Sequence, residues 1–316
     1  MIFNTTNDFT VECLGEVDDY VYDIEVEDNH NFFANNILVH NSNYIDLTDV
    51  VYSEKTKWYK KSKDEIVTLL DKFVDQRIEK TISDGFEQML MKDMNAFEQQ
   101  IFMKREAIGA GVFVQKKRYT MFVYDNEKVR FAKPKLKITG LEAVRSTTPK
   151  YFREKMKLVY EMMYNVGQEE IYDVIDKIRE EYFSMDISLI GKPTGVNNLE
   201  DYDNNSKELG FFSKGAPGHV KAAFTYNRLV AQHNINNLHK FITSGDKIKL
   251  YEVKVPNPYK NDKIAILEKI PPEFDLEQYV DRETMFHDYF IKPMSGVLGV
   301  RGWYAEQPVN LDGIFG

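Results

Sequence analysis

Residues 35–47, NNILVHNSNYIDL, decide how the rest of the chain is interpreted. An apolar run typical of a strand, residues 37–39, ends in His40, Asn41 and Ser42 before a new alternating run begins. An asparagine side chain can attack its own backbone carbonyl and cut the chain behind it if a neighbouring histidine handles the protons. A hydroxyl at the next position can accept an acyl group. These residues suit chain cleavage and acyl transfer, although a simple turn also accounts for them.

The charge distribution changes sharply at the same place. The chain of 316 residues carries a net charge of −9. Residues 1–41 contain nine aspartates and glutamates and neither lysine nor arginine, whereas residues 42–316 contain 41 acidic and 41 basic residues. The acidity therefore belongs to a short N-terminal module that ends near Asn41.

Composition also bears on the compartment. Cys13 is the single cysteine, so the chain cannot form an internal disulfide, as expected of a protein in a reducing cytosol. No run of apolar residues reaches the length of a membrane span, and the N-terminus lacks a signal-peptide pattern. We therefore expect a cytoplasmic protein without a membrane partner.

The N-terminal module has the pattern of short strands. Alternation predicts strands at 9–14 and 20–26, and the apolar run at 37–39 predicts a third. Clusters of Asn and Asp at 28–31 and 35–36 predict turns. So little β-structure buries too little apolar surface to stand alone, so the module is expected to need a partner to fold.

Two segments of this module resemble the C-terminal sequence blocks of inteins, which excise themselves and join the flanking chains. They are YVYDIEVEDNHNF, residues 20–32, and NILVHNS, residues 36–42. The resemblance implies a small all-β fragment of the Hint type. It also implies the following set of reactive residues: Asp23 and His30, which assist the acyl transfers and the asparagine cyclisation; His40, which assists cleavage; Asn41, which cyclises; and Ser42, which accepts the acyl group.

The N-terminal half of an intein would begin with a Cys or Ser nucleophile, and this chain begins with Met1 only forty residues before Asn41. That length resembles the C-terminal half of a split intein. The resemblance implies that another polypeptide carries the other half and that splicing needs no cofactor. Because residues 1–41 lack Lys and Arg, we expect the partner half to be basic, so that attraction speeds and directs the pairing.

Residues 42–316 carry both helical and strand patterns, which predicts an α+β fold. Strands are predicted at 43–51, around 97–105, and at 112–124, 129–139 and 246–269. Helices are predicted at 63–95, at 149–185 in two pieces, at 219–240 and at 281–291, with a polar loop at 192–218.

A basic stretch lies inside this neutral part. Residues 104–157 contain fifteen lysines and arginines and five acidic residues. Such a stripe is the pattern expected of a nucleic-acid contact. The alternative is a solvated face whose charge is balanced by acidic neighbours in space.

Residues 42–316 also match, in order, the C-terminal part of family B DNA polymerases of the T-even-phage type. The segment SNYID, 42–46, looks like the strand that follows the Y-G-D-T-D motif of that family. Further matching segments are MKREAI (103–108), KKRY (116–119), VYD (123–125), LKITGLE (136–142), STTPK (146–150), AFTYN (223–227) and NLDGIFG (310–316).

The resemblance implies contacts with primer–template DNA near the primer 3′ end. The implied DNA-binding residues are Lys116, Lys117, Arg118, Tyr119, Lys135 and Lys137, and Glu106 is implied to lie close to the catalytic carboxylates. If 112–124 is one strand, alternation places Lys117 and Tyr119 on one face and Lys116 and Arg118 on the other. Lys135 and Lys137 share a face of the next strand. The alternative for KKRY is an exposed strand edge protected by charge.

The C-terminal tail has a separate role in that family, which is to bind the sliding clamp. Here the apolar residues of the tail are Leu311, Ile314 and Phe315, and they are implied to dock in a pocket of the clamp. Gly313 departs from the bulkier residue expected there. The alternative is a tail that packs on its own domain.

The sequence therefore predicts four segments. They are a split-intein fragment at 1–41, part of a palm at 42–148, a mainly helical thumb at 149–300 and a clamp-binding tail at 301–316. The chain is predicted to be a precursor that trans-splices to an N-terminal polymerase fragment. The Mg²⁺ ligands of the assembled polymerase are expected on the partner chain, with none here. Two alternatives stay open: a polymerase subunit that assembles without ligation, and a DNA- and clamp-binding module with an inactive intein remnant.

Overall fold

The computed structural model describes residues 31–34, 37–40, 44–99, 102–203 and 215–307, the first two ranges as backbone only. The chain forms two compact units, Met1–Ile66 and Val67–Gly316. Within the described residues helices combine with antiparallel sheets, in agreement with the predicted α+β class. None of the described helices is both long and apolar enough to cross a membrane. The predicted limits at 41, 148 and 300 stay predictions.

A two-stranded hairpin lies in the first unit. Strands β1 (Asn31–Ala34) and β2 (Ile37–His40) pair antiparallel, with Asn31 opposite His40. Only Asn35 and Asn36 separate the strands in sequence, and asparagine favours tight hairpin turns. The strand predicted at 37–39 is confirmed and extends to His40. The strands predicted at 9–14 and 20–26 lie outside the described residues.

The strand predicted at 43–51 is wrong. A short helix, α1 (Thr48–Tyr52), occupies the second half of that range. Hydrogen bonds with the side chain of Thr48, and secondly with its backbone N–H at 2.8 Å from Asp46 Oδ1, lower the pKa of the Asp46 carboxyl. This local side-chain bond gives the backbone an alternative to a strand ladder, and alternation alone does not detect it.

A long helical segment confirms the prediction for 63–95. It comprises α2 (Lys63–Phe73), a π-helical stretch Val74–Glu79, α3 (Lys80–Glu87) and a second π-helical stretch Gln88–Asp93. Ser62 and Glu65 cap its start, because the Glu65 carboxylate accepts from the Ser62 N–H at 3.0 Å while Ser62 Oγ accepts from the Glu65 N–H. Among its described side chains only Val67 is fully buried.

The first three-stranded sheet is an antiparallel meander of β3 (Ala107–Gln115), β4 (Arg118–Asn126) and β5 (Val129–Thr139). The single strand predicted at 112–124 is therefore wrong, and the strand predicted around 97–105 is absent from the described residues of that range, 97–99 and 102–105. Lys117 has φ 61°, in the left-handed region, so the chain turns between β3 and β4 at Lys116 and Lys117. The strand predicted at 129–139 is confirmed.

Polar side chains join the long helical segment to this meander sheet. Thr68, Asp71, Asp75 and Glu79, here called the polar row, are spaced three or four residues apart and so follow one helical face. Their partners are as follows: Arg130 Nη1 donates to Thr68 Oγ1 at 3.5 Å, Arg105 Nη2 lies 2.7 Å from Asp71 Oδ1, Lys128 Nζ lies 3.2 Å from Asp75 Oδ2, and the Arg105 N–H donates to Glu79 Oε1 at 2.8 Å.

The rest of the second unit is mainly helical. The predicted helices at 149–185 are confirmed as two pieces, α4 (Lys150–Met162) and α5 (Gln168–Ser184). The remaining helices are α6 (Ile187–Ile190), α7 (Gly218–Gln232), α8 (Leu276–Tyr279), α9 (Arg282–Phe286) and α10 (Lys292–Leu298). A second antiparallel sheet contains β6 (Lys192–Gly195), β7 (Lys247–Glu252) and β8 (Lys263–Ile266), so the loop predicted at 192–218 is wrong at its start.

An aromatic group forms the centre of the main core. Phe152, Tyr182, Phe286 and Phe290 have no solvent-exposed surface. The Phe152 ring centroid lies 4.9 Å from that of Tyr182 and 5.6 Å from that of Phe290. These rings come from α4, α5 and the continuous helical stretch from α9 to α10, so their packing fixes those helices to one another.

Tyr164, which follows α4, connects this core to the meander sheet. Its hydroxyl donates to the backbone carbonyl of Thr120 at 2.8 Å, and its ring stacks on Phe122 with centroids 5.2 Å apart. Burial raises the pKa of the Tyr164 hydroxyl to about 12, so it donates this bond throughout the neutral range. The helical core therefore supports the sheet from one side.

Phe152→Ala is expected to lower the free energy of unfolding by about 3–5 kcal/mol, because it removes the ring at the centre of the aromatic group and leaves a cavity. Urea unfolding of the full chain, followed by circular dichroism, measures this. Leu158→Ala on the same helix is the control, since Leu158 is 43% exposed and its loss should cost less than about 1 kcal/mol. Equal losses in the two variants would contradict the assignment of the core.

Candidate nucleic-acid interface

The two faces of the meander sheet have different surroundings. On one face, Val112 belongs to the main core, and Leu136 and Ile138 pack against that core. On the other face Tyr119, Met121 and Val123 form a separate small cluster with Phe131 and Ala107 beside them. The second face therefore does not contribute to the main core.

Lys135 and Lys137 lie on this second face, as predicted. The register pairs Lys135 with Val123 and Lys137 with Met121, and paired residues in a sheet project to the same side. We call the set of Tyr119, Met121, Val123, Lys135 and Lys137 the lysine face. Lys135 Nζ lies 4.2 Å from the centroid of the Phe131 ring, a cation–π contact that holds the side chain over the sheet.

Three of the predicted site residues meet at one end of the lysine face. Lys137 Nζ donates to Glu106 Oε1 at 2.9 Å. This hydrogen bond raises the pKa of the Lys137 ammonium above its ordinary value; partial burial opposes the rise, and nearby Tyr119 adds to it. The Tyr119 ring stacks on Phe113 at 5.3 Å and is only 6% exposed. Glu106, Lys137 and Tyr119 are thus one cluster.

The predicted alternation of Lys116, Lys117, Arg118 and Tyr119 is wrong, because the first two residues form the turn between β3 and β4. Lys116 and Lys117 are exposed there. The turn is held close to the end of β5, since a Cβ on Gly140 would lie 2.2 Å from the Lys117 carbonyl oxygen. Gly140 has φ +63°, so glycine is required there both by space and by backbone conformation.

Arg118 has an acidic partner instead of an open position. Its Nη2 donates to both carboxylate oxygens of Glu142, at 2.6 and 2.8 Å. Arg145 Nη1 also lies 3.7 Å from Glu142. A two-oxygen contact of this kind fixes the guanidinium firmly, so Arg118 closes the base of the hairpin and has to leave Glu142 before it can contact another anion.

Acidic partners balance many of the cations in the basic stretch, so the alternative of a balanced face is correct for them. At least eight of its lysines and arginines lie within 4.0 Å of a carboxylate oxygen. They are Arg105, Arg118, Lys128, Arg130, Lys137, Arg145, Lys150 and Lys155. The local excess of positive charge therefore overstates the field that this surface presents to a nucleic acid.

Some residues of the cluster were not predicted. Phe113 and Phe131 cover Tyr119 and Lys135, and Arg105 lies buried beside Glu106. The sequence offers one weak signal for Arg105: the acidic residues of the polar row recur at helical spacing and so lie on one face, where cations of another element are able to pair with them.

The reactive residues of the N-terminal module are described only in part. The backbone of His40 ends β2 opposite Asn31, the residue that follows His30 in sequence. The other four predicted residues lie outside the described residues: Asp23, His30, Asn41 and Ser42. The predicted clamp-binding residues Leu311, Ile314 and Phe315 also lie outside them.

The described residues do not fit a magnesium site by themselves. Within them, no group of three or more His, Cys, Asp or Glu side chains is arranged to hold a metal ion. Glu106 faces a lysine, and the carboxylates of the polar row face arginines and a lysine.

Comparison with known proteins finds relatives for most of the chain. It is 28% identical over 269 residues to the DNA-directed DNA polymerase of Enterobacteria phage T4, a match covering 81% of this chain and 29% of that protein. It is 30% identical over 264 residues to the DNA-directed DNA polymerase of Escherichia phage RB69, covering 79% of this chain and 28% of that protein. Most of this chain is homologous to family B DNA polymerases.

The match covers only a part of each polymerase. The chain spans less than a third of the length of the phage polymerases that it matches. A match to the DNA polymerase of Methanocaldococcus jannaschii, at 25% identity over 328 residues, covers 90% of this chain and 18% of that protein. No protein-family model matches the chain.

Glu106→Gln is expected to bring the pKa of Lys137 back toward its ordinary value, because the neutral amide no longer favours the ammonium. A group whose pKa is raised by folding stabilises the fold below its ordinary pKa, so this stabilisation is present at neutral pH and is lost as the pH rises through the raised value. Lysine titration by NMR measures the change. Lys80, whose pKa is raised by Asp84, is the internal control; an unchanged Lys137 pKa would contradict the described contact.

Proposed function

We propose that this chain is a precursor part of a DNA-directed DNA polymerase. In this proposal residues 42–316 supply part of the palm, the thumb and the C-terminal tail, and residues 1–41 attach them to an N-terminal polymerase fragment by trans-splicing. One observation carries the polymerase part: the ordered match to the phage polymerases extends over about four fifths of the chain. Because the match covers less than a third of each of those proteins, the remaining parts of such an enzyme would come from a partner chain.

The splicing part of the proposal is supported by the sequence. The intein-like segments keep Asp23, His30, His40, Asn41 and Ser42 at the positions that the family uses. Strand β2 of the hairpin ends at His40, which directly precedes Asn41 at the proposed junction.

The proposed chemistry is a sequence of acyl transfers. Ser42 Oγ attacks the acyl group at the junction of the partner fragment, forms an ester and releases the partner's nucleophile. The Asn41 side-chain nitrogen then attacks its own backbone carbonyl carbon and forms a succinimide. This step breaks the peptide bond to Ser42, and His40 donates a proton to the leaving nitrogen. The freed amine of Ser42 attacks the ester, which leaves an ordinary peptide bond and restores the hydroxyl.

The polymerase part of the proposal assigns DNA contacts to the meander sheet. The turn lysines Lys116 and Lys117, with Lys135 and Lys137 of the lysine face, would hold the phosphates of a primer–template duplex, and Tyr119 would lie below the primer end. The Mg²⁺ ions of phosphoryl transfer would be bound by carboxylates of the partner chain, where they supply the charge stabilisation. A sliding clamp would bind the tail through Leu311, Ile314 and Phe315.

Co-expression with an N-terminal polymerase–intein fragment is expected to yield a ligated product that lacks residues 1–41, identified by mass spectrometry. Asn41→Ala should prevent release of residues 42–316, because no side-chain nitrogen remains to form the succinimide. Cys13→Ala, which changes no reactive position, is the control and should splice normally.

Other outcomes of the same experiment separate the alternatives. Unligated chains that together synthesise DNA would favour a non-covalent polymerase subunit. Unligated chains without synthesis would favour a DNA- and clamp-binding module. Complete ligation by the Asn41→Ala variant would refute the cleavage step.

DNA binding is expected to depend on salt through the turn lysines. Replacing Lys116 and Lys117 together with glutamine should reduce the slope of log affinity against log salt by about one for each phosphate that the protein no longer neutralises. Fluorescence anisotropy of a primer–template duplex with the full chain measures the slope. The control changes Lys80 and Lys92 on the long helical segment to glutamine. An equal decrease in both variants would mean that only net charge matters, and would remove the turn from the interface.

A further inference from the structure

Arg105 is the most buried cation of the basic stretch among the described ion pairs, with only 4% of its side chain exposed. Its Nη1 donates to Asp125 Oδ1 at 2.6 Å, and its Nη2 lies 2.7 Å from Asp71 Oδ1. Asp125 is 3% exposed, and its second oxygen accepts from Arg130 Nε at 3.3 Å. Arg105 and Asp125 lie so far from water that they need partners at close range, and the less buried Asp71 and Arg130 supply further opposite charges beside them.

The same contacts extend to the backbone on both sides of Glu106. The N–H of Arg105 is bound by Glu79, and the carbonyl of Glu106 accepts from the N–H of Glu127 at 2.5 Å. Glu127 lies in the turn that follows Asp125 and precedes β5. The carboxylate of Glu106 is therefore presented to Lys137 by a peptide segment whose position depends on the buried ion group.

We propose that Arg105 is a positioning residue, which holds Glu106 against Lys137 at the end of the lysine face and thereby sets where the primer end lies. The effect on the primer end rests on the proposed polymerase function, whereas the positioning of Glu106 by Arg105 does not depend on it. The ion group spans three parts of the chain: the long helical segment through Asp71, β4 through Asp125 and the start of β5 through Arg130. A shift in any of them is transmitted to Glu106 through Arg105.

A positioning role differs from a merely structural role in what it changes. If Arg105 acts through Glu106, replacing Arg105 has no further effect on activity once Glu106 has been replaced. The effects of substitutions in one chain of contacts are not additive. A structural role instead lowers activity by the same factor whether Glu106 is present or not. Lysine keeps the charge at position 105 but cannot reach two carboxylates in the planar geometry of a guanidinium.

The test compares Arg105→Lys, Glu106→Gln and the double variant. Lysine titration by NMR, with Lys137→Arg to assign the signal, should show the Lys137 pKa falling in Arg105→Lys as it does in Glu106→Gln. In the polymerase assembled with its N-terminal fragment, Arg105→Lys should lower kcat/KM for primer–template by about tenfold or more. The double variant should be no slower than Glu106→Gln alone.

Asp71→Asn tests the group again if Arg105→Lys folds poorly, and Arg179→Lys is the matched control. Arg179 pairs with Glu283 in the helical part, so its change should affect neither the Lys137 pKa nor kcat/KM. An unchanged Lys137 pKa in both Arg105→Lys and Asp71→Asn, or additive losses in the double variant, would overturn the proposal. If the wild-type assembly makes no DNA, the proposed function fails, while the Lys137 titration still decides whether Arg105 positions Glu106.

Discussion

The ion pairs that Arg105 makes with Asp71 and Asp125 are the contact on which the meander sheet and the long helical segment both depend. A helix usually attaches to its domain through an apolar stripe, but this segment has Val67 as its single fully buried side chain among those described. Its other apolar residues, among them Leu69, Leu70 and Phe73, are only partly buried, and charged contacts add to that stripe. Because Arg105 and Asp125 are buried, removing either of them leaves a buried charge without one of its partners, so this pair tolerates change poorly.

This dependence explains why the basic stretch carries less information about DNA than its charge suggests. A cation that closes a hairpin or bridges two elements is already paired, as Arg118 and Arg105 are. Such a residue positions the surface, whereas lysines that are exposed at a turn, as Lys116 and Lys117 are, lie within reach of phosphates. The two roles require opposite environments, and therefore burial, which a count of charges ignores, separates them.

The predictions from sequence succeeded where a single period describes a segment. The helical spacing at 63–95 and the alternation that places Lys135 and Lys137 together are both present. They failed where one residue changes the local backbone. Lys117 adopts a left-handed conformation and divides a predicted strand into two, and Asp46 accepts a hydrogen bond from the Thr48 N–H where another strand was predicted. The meeting of Glu106 with Lys137 and Tyr119 could not be predicted from periodicity, since it depends on a β-sheet register and on a buried arginine remote from the long helix in sequence.

The N-terminal module presents the opposite case, in which the order of the residues carries the interpretation. A β-rich module as short as residues 1–41 buries too little apolar surface to stand alone, so in the proposed function pairing with the other intein half must precede any chemistry. The proposed function also divides the palm between two chains. If the metal-binding carboxylates lie on the partner and the primer-holding lysines lie here, neither fragment synthesises DNA alone. Ligation at Ser42 then restores the chain connectivity of the site, because it joins those carboxylates and the sheet that Arg105 holds in position within one polypeptide.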